Sequence, residues 1–215
     1  MTTPLNYITR PSSLKENAPL LIMCHGYGSD ENDLFSFAAE LPEELFIISL
    51  RAPYAMQPYG NAWYAINFDA EKGKWNDKTQ AQSSVELIAD FISYACQKYA
   101  VNSNNVTLLG FSQGTILSCA VALNHPNKVK NIVALSGYIY EDILPKIIEK
   151  NDVSHLNFFC SHGSSDQVIP VDWARKTPVF LDQLGINNWY SEYPVGHGVA
   201  PQNFYDLKDW LKNHI

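Results

Sequence analysis

The sequence predicts an α/β fold, in which helices cover both faces of a mostly parallel β-sheet. Short apolar runs alternate along the chain with longer segments of helical periodicity, and this alternation is typical of parallel sheets. Several of the short runs are apolar almost throughout, as strands buried on both faces are. The chain has 215 residues, of which 46% are hydrophobic and 17% charged. We therefore expect a single domain over residues 1–215, without a large cap domain.

The predicted strands are short runs rich in apolar residues. They are Tyr7–Arg10 at an edge, Leu20–Cys24, Leu45–Leu50, Asn105–Gly110, Asn131–Ser136, Leu156–Ser161 and Asn188–Tyr193. In open α/β sheets, active sites lie outside the carboxyl ends of the strands. Functional residues are therefore expected in the loops that follow these runs.

The predicted helices lie between the strands and show helical spacing of apolar residues. They are Glu31–Leu41, Lys78–Ala100, Gln113–Asn124, Glu141–Lys150, Val171–Leu184 and Pro201–Asn213. In the second, Val85, Ile88 and Ile92 recur at three- and four-residue intervals and so share one face. In the last, Pro201 suits a first helical position because its missing N–H has no partner there in any case.

Residues 51–77 interrupt the alternation with prolines, glycines and many aromatic residues. A loop of this length inside a compact domain is usually functional or disordered, and its aromatic content indicates order. Because the segment follows the strand Leu45–Leu50, it should lie on the active-site side of the sheet. We expect it to shape a substrate pocket, with Trp63 and Tyr64 as substrate-binding residues.

The pentapeptide Gly110-Phe111-Ser112-Gln113-Gly114 follows a predicted strand and opens a predicted helix. It matches the pattern G-x-S-x-G, in which a serine lies on a sharp strand-to-helix turn with its hydroxyl exposed. Such a turn leaves little room for side chains two residues to either side, and glycine at both places removes the clash. The alternative is a glycine-rich turn with a helix-capping serine. The strand before it and the helix after it favour a nucleophile elbow.

A nucleophilic serine needs a base to take its proton, and the base needs a partner that fixes its tautomer. In folds with this elbow, the chain order is serine, then aspartate or glutamate, then histidine. Asp166 lies in the loop after the strand Leu156–Ser161, and His197 lies in the loop after Asn188–Tyr193. Both loops are on the carboxyl side of the predicted sheet. The sequence therefore predicts a catalytic triad of Ser112, Asp166 and His197.

The other carboxylates and histidines in the second half of the chain fit structural roles better. Carboxylates within or beside helices are expected to be solvated or to cap a helix end: Asp142, Asp152, Asp172, Asp206 and Asp209. The remaining histidines flank strands, end helices or lie in the C-terminal tail: His125, His155, His162 and His214.

Acyl transfer also needs donors for the negative charge that develops on the carbonyl oxygen. One is expected to be the backbone N–H of Gln113, at a helix N-terminus whose dipole favours negative charge. The second is expected from the early loop His25-Gly26-Tyr27-Gly28, where glycines let the backbone approach a substrate closely. The backbone N–H of Tyr27 is the candidate. His25 is expected to brace this loop rather than to act as a base.

The charge and cysteine content exclude several other classes. The formal net charge is −7 and the 15 basic residues are scattered, which argues against a nucleic-acid surface. Neither a signal peptide nor an apolar run of roughly 18 residues is evident, so no stable membrane association is expected. The four cysteines lie far apart in apolar segments, as free thiols in a reducing compartment do: Cys24, Cys96, Cys119 and Cys160. Cytoplasmic localisation is expected, and the sequence predicts no metal site.

The chain resembles the phospholipase/carboxylesterase family of α/β-hydrolases, which includes the acyl-protein thioesterases. The matching segments are MCHGYGSDENDL, RAPY…GNAWY, LLGFSQGTILS, SHGSSDQVIP and GHGVAPQNFYDLKDWL, in the family's order over nearly the whole chain. The resemblance implies an α/β-hydrolase fold, with Ser112 as nucleophile, Asp166 as orienting acid and His197 as base. It implies that Tyr27 and Gln113 supply the oxyanion donors. It also implies no metal or organic cofactor, a cytosolic location and a possible homodimer.

The chain departs from the family at two places. Many members have a further glycine after Gly114, where this chain has Thr115, and we expect a small effect on packing. The aromatic-rich residues 54–75 differ from the acyl-channel region of the eukaryotic thioesterases. A small carboxylesterase of bacterial type is therefore the favoured interpretation over an enzyme of lipidated proteins.

The leading hypothesis is a serine hydrolase of small carboxylic esters or thioesters, acting through an acyl-enzyme on Ser112. An acyl-protein thioesterase or lysophospholipase is the alternative, and it needs a long apolar channel. A binding protein on a hydrolase scaffold would be expected to lose a triad member, and all three are present. A metal-dependent hydrolase lacks support, because neither H-E-x-x-H nor paired-cysteine spacing occurs.

Overall fold

The computed structural model of the protein describes residues 5–69 and 73–215. Strands form as short runs throughout these residues. They are β1 (Tyr7–Arg10), β2 (Ala18–Cys24), β3 (Phe46–Leu50), β4 (Tyr54–Ala55), β5 (Asn61–Ala62), β6 (Ile66–Asp69), β7 (Gly73–Asn76), β8 (Val101–Phe111), β9 (Asn131–Leu135), β10 (Asn157–Gly163) and β11 (Asn187–Tyr193). Seven of them form the central sheet in the order β1-β3-β2-β8-β9-β10-β11. The predicted α/β-hydrolase fold is thereby confirmed, with strand ends shifted by at most four residues.

The sheet is parallel except at one edge, where β1 runs antiparallel to β3. The register brings the carboxyl ends of the inner strands level with one another. Cys24 of β2 pairs with Gly110 of β8, and Phe111 pairs with Leu135 of β9. Farther along, Gly163 at the end of β10 pairs with Tyr193 at the end of β11. The loops that follow these five strands therefore lie side by side at one edge of the sheet.

Helices cover both faces of the sheet, as the sequence predicts. They are α1 (Lys78–Lys98), α2 (Gln113–Asn124), α3 (Lys150–Val153), α4 (Val171–Ala174), α5 (Lys176–Gln183) and α6 (Pro201–Lys212), with 3-10 turns at Leu34–Phe37, Pro126–Lys128 and Glu141–Ile143. Alternate strand residues divide between two apolar clusters: Leu20 and Ile22 face the cluster with α1 and α2, and Leu21 and Met23 face the one with α6. Among the described residues, no helix combines the length and the apolar character that crossing a membrane requires.

The predicted helix Glu31–Leu41 is wrong, because only a 3-10 turn forms at Leu34–Phe37. Short polar side chains there bond to nearby groups and compete with helical hydrogen bonds. The Asp30 carboxylate accepts the backbone N–H of Asn32 at 2.8 Å, and the Ser36 hydroxyl donates to the Asp33 carbonyl at 2.7 Å.

Two further predicted helices are interrupted by proline. Residues 141–150 form a 3-10 turn and then only the start of α3, because Pro145 lacks an N–H and cannot continue a helix. The segment Val171–Leu184 divides into α4 and α5 at Arg175. Pro178 explains this break, since its ring would clash with the carbonyl of Ala174 in a continuous helix.

The aromatic segment, residues 51–77, is ordered into two small hairpins where it is described, β4 with β5 and β6 with β7. The backbone N–H of Gly28 donates to the Asn61 carbonyl at 2.9 Å, and the backbone N–H of Asn61 donates to the Ser29 carbonyl at 2.8 Å. These bonds attach the first hairpin to the loop after β2. The segment therefore lies at the same edge of the sheet as the functional loops, as predicted.

Candidate active site

Ser112 lies at the sharp turn between β8 and α2, with φ 54° and ψ −115°. A positive φ is costly for a residue with a side chain, so the surroundings must enforce it. The two flanking glycines permit the turn. A Cβ on Gly114 would lie 1.9 Å from the carbonyl oxygen of Cys24, and one on Gly110 would lie 2.5 Å from the Gly114 backbone. The strained serine at a strand-to-helix turn is the geometry that the G-x-S-x-G pattern predicts, and Ser112 lines a cleft although most of its surface is buried.

Thr115 follows the elbow where many family members have glycine, and its packing depends on a glycine elsewhere. Its hydroxyl lies 2.7 Å from the carbonyl oxygens of both Gly110 and Leu135 and donates its proton to one of them. Its methyl group packs on Gly137, where a Cβ would lie 2.4 Å from Thr115 Cγ2. The extra side chain is therefore accommodated because residue 137 has none.

The structure brings Ser112, His197 and Asp166 together in one hydrogen-bonded line. His197 Nε2 lies 2.9 Å from Ser112 Oγ, and His197 Nδ1 lies 2.6 Å from Asp166 Oδ2. Asp166 follows β10 and His197 follows β11, on the two strands beyond β9. This geometry allows the imidazole to accept the serine proton while its other nitrogen donates to the carboxylate.

The carboxylate of Asp166 is buried and is held by its own loop. Its Oδ1 accepts the backbone N–H groups of Val168 at 2.8 Å and Ile169 at 3.0 Å. Burial alone would raise the pKa of Asp166, but hydrogen bonds from His197, Ile169 and Val168 outweigh it and hold the pKa below its usual value. The group is therefore a charged acceptor toward His197 at neutral pH.

His162, which the sequence predicts to have a structural role, lies within the site. It is fully buried, and its Nε2 lies 2.9 Å from the Ile169 carbonyl and 3.3 Å from Asp166 Oδ2. Its Nδ1 has no hydrogen-bond partner in the described part of the chain. The proton therefore lies on Nε2, facing two acceptors of the Asp166 loop. No sequence signal marked this role, because the approach depends on how the chain turns between residues 162 and 169.

The backbone around the two predicted oxyanion donors lies beside Ser112. The N–H of Gln113 is in the first turn of α2, where helical N–H groups have no intrahelical acceptor and the helix dipole is positive. The loop of Tyr27 comes from β2, and a Cβ on its neighbour Gly26 would lie 3.5 Å from Ser112 Cβ. Both segments therefore reach the serine.

His25 braces this loop, as the sequence predicts. Its Nδ1–H donates to the Gly26 carbonyl at 2.7 Å, and its Nε2 accepts the backbone N–H of Ala52 at 3.1 Å. Burial lowers the pKa of His25, which agrees with a neutral ring that is donor on one side and acceptor on the other.

The structure does not place Trp63 in the cleft, although the sequence analysis proposes it as a substrate-binding residue. Trp63 is fully buried, and its indole N–H donates to the His25 carbonyl at 2.9 Å. Its backbone N–H donates to Gln113 Oε1 at 2.8 Å, and Gln113 Nε2 donates to the Tyr64 carbonyl at 2.8 Å. Trp63 thus joins the aromatic segment to the nucleophile elbow. Its aromatic character gave no means of distinguishing a buried brace from an exposed contact.

A cleft of about 470 Å³ opens in front of Ser112 and His197. Tyr64, the other residue predicted to bind substrate, lines it, although little of its surface is exposed. Aromatic and aliphatic side chains form most of the remaining wall: Tyr27, Ile66, Trp75, Phe111, Ile116, Tyr138, Val168, Ile169 and Trp173. The cleft is thus a mainly apolar site with a small number of polar residues, as small-molecule sites usually are: Ser29, Asp33, Asn76, Ser112, Gln113 and His197.

Three of the histidines with predicted structural roles lie away from this cleft. His125 contacts Glu86, His155 contacts the Pro126 carbonyl, and His214 contacts the Trp210 carbonyl. Among the carboxylates, Asp172 pairs with Arg175 on the surface. None of these residues lines the described cleft.

The fold and the site together define a serine hydrolase of the α/β-hydrolase class. The comparison with known families agrees, since the sequence model of the family described as Phospholipase/Carboxylesterase matches residues 8–215. The chain therefore belongs to the phospholipase/carboxylesterase family, as its motifs indicate.

Individual relatives are distant. A probable carboxylesterase of Oryza sativa subsp. japonica is 29% identical over 162 residues, which are 72% of this chain and 58% of that protein. Acyl-protein thioesterase 1 of Candida albicans is 27% identical, with 91% of each chain covered. Among solved structures, the Bacillus cereus carboxylesterase superposes with a TM-score of 0.81 at 18% identity, covering 98% of this chain and 95% of that one. The structural likeness supports the fold.

Proposed function

We propose that the protein is a serine carboxylesterase that forms an acyl-enzyme on Ser112. The Ser112 oxygen attacks the ester carbonyl carbon while His197 Nε2 takes the hydroxyl proton. Asp166 fixes the imidazole tautomer and stabilises the positive charge on the ring. The backbone N–H groups of Tyr27 and Gln113 donate to the oxyanion of the tetrahedral intermediate.

The intermediate then collapses and the ester C–O bond breaks. His197 gives the proton to the departing alcohol oxygen, and the acyl group stays on Ser112. A water molecule next attacks the acyl carbonyl, with His197 as general base. The second collapse returns the proton to Ser112 and releases the carboxylic acid.

The observation that carries this proposal is the unbroken line from Ser112 Oγ through His197 to Asp166, with contacts of 2.9 and 2.6 Å. It lies at the wall of a cleft that can hold a substrate. The cysteines offer no comparable nucleophile. Burial raises the pKa of the Cys24 and Cys119 thiols to about 12, so both are protonated at neutral pH.

The cleft favours esters with uncharged acyl and alcohol groups. Its described lining carries one carboxylate, Asp33, and no lysine or arginine. An anionic group would therefore lose its hydration without gaining a counter-ion. Aromatic walls such as Trp75 and Trp173 are about half-exposed and offer apolar contact to a neutral group.

Hydrolysis of long acyl thioesters or lysophospholipids is the second candidate. It is favoured by the similarity to acyl-protein thioesterase 1 of Candida albicans over 91% of the chain. The same acyl-enzyme chemistry cleaves a thioester, with His197 protonating the departing sulfur. The two candidates differ in the length of acyl chain that the cleft accepts.

Hydrolysis of p-nitrophenyl esters from acetyl to palmitoyl, by the natural protein and by Ser112→Ala, tests both candidates. We expect a short-chain optimum and a loss of about 10³-fold or more in the variant. A long-chain optimum that is also lost in the variant would replace the carboxylesterase by the thioesterase or lysophospholipase. Equal rates in the two proteins would contradict the mechanism.

We further propose that the protein acts in the cytoplasm as a homodimer. The four cysteines are free, which suits a reducing compartment. The dimer is proposed from the family resemblance. Cell fractionation and light scattering on the purified protein test these two points separately.

A further inference from the structure

A second, much smaller cavity adjoins the cleft at Tyr138. The inner cavity has a volume of about 10 Å³, which is about enough for one water molecule. Tyr138 is the one described residue that lines both the inner cavity and the cleft at Ser112. The two cavities therefore meet at this residue.

The backbone that carries Tyr138 is held rigidly against the catalytic loops. Ser136 has φ 50°, and its N–H donates to the Ser161 carbonyl at 2.9 Å. The next residue, Gly137, packs on Thr115 of the nucleophile elbow, and a Cβ there would lie 3.0 Å from the Ser112 carbonyl. The position of the Tyr138 Cα is thereby fixed relative to Ser112.

The ring of Tyr138 is also supported from the sides. It packs edge-on against Trp173 of α4 with ring centroids 5.1 Å apart, whereas the Tyr140 ring lies farther away, at 6.3 Å. The Asn76 side chain, at the end of the second hairpin, lies beside its hydroxyl. Trp173 of α4 and Asn76 of β7 therefore support the Tyr138 side chain from two different elements.

The residues behind Tyr138 are small, which leaves room for a larger cavity if the ring is removed. Cys119, Ala134, Cys160 and Ala174 form much of the wall. Ser161 Oγ and Thr177 Oγ1 also line it, and neither has a hydrogen-bond partner in the described part of the chain.

We propose that the Tyr138 ring separates the cleft from the inner cavity and is the specificity determinant that limits the size of the ester arm, the acyl or alcohol group of the substrate, that the cleft accepts beside it. The proposal rests on the esterase function proposed above and specifies its substrate class. The substrates are esters whose acyl or alcohol group ends in front of the Tyr138 ring. Substrates with a longer arm are rejected by contact with the ring. Removing the ring joins the cleft to the inner cavity and relaxes this limit.

The test compares Tyr138→Ala with Tyr138→Phe and Tyr140→Ala. Tyr138→Phe keeps the ring between the two cavities and removes only its hydroxyl. Tyr140→Ala removes a neighbouring ring that lines neither cavity. Two series of esters are assayed, one lengthened in the acyl arm with a p-nitrophenyl leaving group, and one lengthened in the alcohol arm with an acetyl group. In at least one of the two series, we expect Tyr138→Ala to raise kcat/KM for the long ester relative to the short one by about tenfold or more. The two control variants are expected to keep the natural length profile.

A double variant removes the remaining ambiguity. Ala174 lines the inner cavity and not the cleft, so Ala174→Val fills the inner space without touching the natural substrate site. Ala174→Val alone is expected to keep the natural profile, and in the Tyr138→Ala background it is expected to cancel the gain. A gain that persists in the double variant would contradict the role of the inner cavity.

The outcomes separate this inference from the proposed function. Each variant is checked by thermal unfolding and by labelling of Ser112 with a small fluorophosphonate, and Tyr138→Leu replaces Tyr138→Ala if the latter does not fold. An unchanged profile in both ester series, from a variant that is folded and labelled, would overturn the role of Tyr138 alone. Natural protein that hydrolyses none of the esters, or that is not labelled, would overturn the proposed function instead.

Discussion

Two regions of the molecule meet at the cleft and are held in place by different means. The nucleophile elbow, residues 110–114, is fixed by steric exclusion, because its two glycines lie against backbone at distances that no Cβ could occupy. The aromatic segment, residues 51–77, is fixed by hydrogen bonds to distant residues, including Gln113 and Ser84. The elbow sets where the serine oxygen lies, and the aromatic segment forms part of the wall around the substrate. Damage to the first should therefore abolish turnover, while damage to the second should alter substrate binding more than turnover.

The largest effect is expected from Gly114→Ala in the elbow. The new Cβ would meet the Cys24 carbonyl oxygen at 1.9 Å, so β2 and α2 must separate. We expect the free energy of unfolding to fall by about 3 kcal/mol or more and ester hydrolysis to be lost. Urea unfolding and initial rates measure both effects.

Gly198→Ala is the matched control, because a Cβ at that position meets no atom within 4 Å. It should leave the free energy of unfolding within about 0.5 kcal/mol of the natural value. If Gly114→Ala were equally harmless, the elbow would not depend on steric exclusion.

Asp166→Asn should lower kcat by about 10³–10⁴-fold, because an amide no longer holds the histidine tautomer that accepts the serine proton. The same variant tests the pKa of the carboxyl group. The pKa of Asp166 is depressed in the folded protein, so the stability that the charged group contributes is present above about pH 4 and is lost as the pH falls through the folded pKa. The natural protein should therefore lose more stability than Asp166→Asn between pH 6 and low pH. Equal losses in the two proteins would mean that Asp166 is not stabilised in its charged form.

His162 is expected to act as a positioning residue for Asp166. His162→Leu removes the N–H that faces Asp166 Oδ2 and the Ile169 carbonyl, and we expect kcat to fall about 10- to 100-fold. His162→Gln can place an amide N–H near the same point and should recover most of the rate. The acid limb of the pH–rate profile should also move in the leucine variant. Equal losses in the two variants, without a change in the pH profile, would indicate a packing role only.

The smallest effect is expected where the two regions join. Gln113→Ala keeps the backbone N–H of the oxyanion site but removes the two side-chain bonds to the backbone of Trp63 and Tyr64. We expect a loss of about 1–3 kcal/mol in stability and a rise in KM, with kcat reduced much less. A fall in kcat at constant KM would show that the aromatic segment positions the reacting groups, which would break the distinction between the two regions.

The parts of the molecule that could be predicted from the sequence are those with local causes. The elbow depends on glycine sterics and the strands depend on apolar runs, and both are visible in the sequence. Asp166 and His197 could be predicted because each lies in a loop that follows one of these strands. The failed helix at residues 31–41 depended on competition between side-chain and backbone hydrogen bonds. The burial of Trp63 and the approach of His162 to Asp166 depend on contacts between segments far apart in sequence or on the path of a turn. Such contacts leave no periodic pattern.

The central claim is that Ser112 is the nucleophile, and the most direct measurement is to locate a covalent adduct. The natural protein is treated with a fluorophosphonate, digested and examined by peptide mass spectrometry, with Ser112→Ala and His197→Ala treated in parallel. If Ser112 is the nucleophile, we expect one phosphonyl group on Ser112 in the natural protein and none on this position in Ser112→Ala. Labelling of His197→Ala should be strongly slowed. A folded natural protein that remains unlabelled, or one labelled at another residue with Ser112→Ala still reactive, would contradict it.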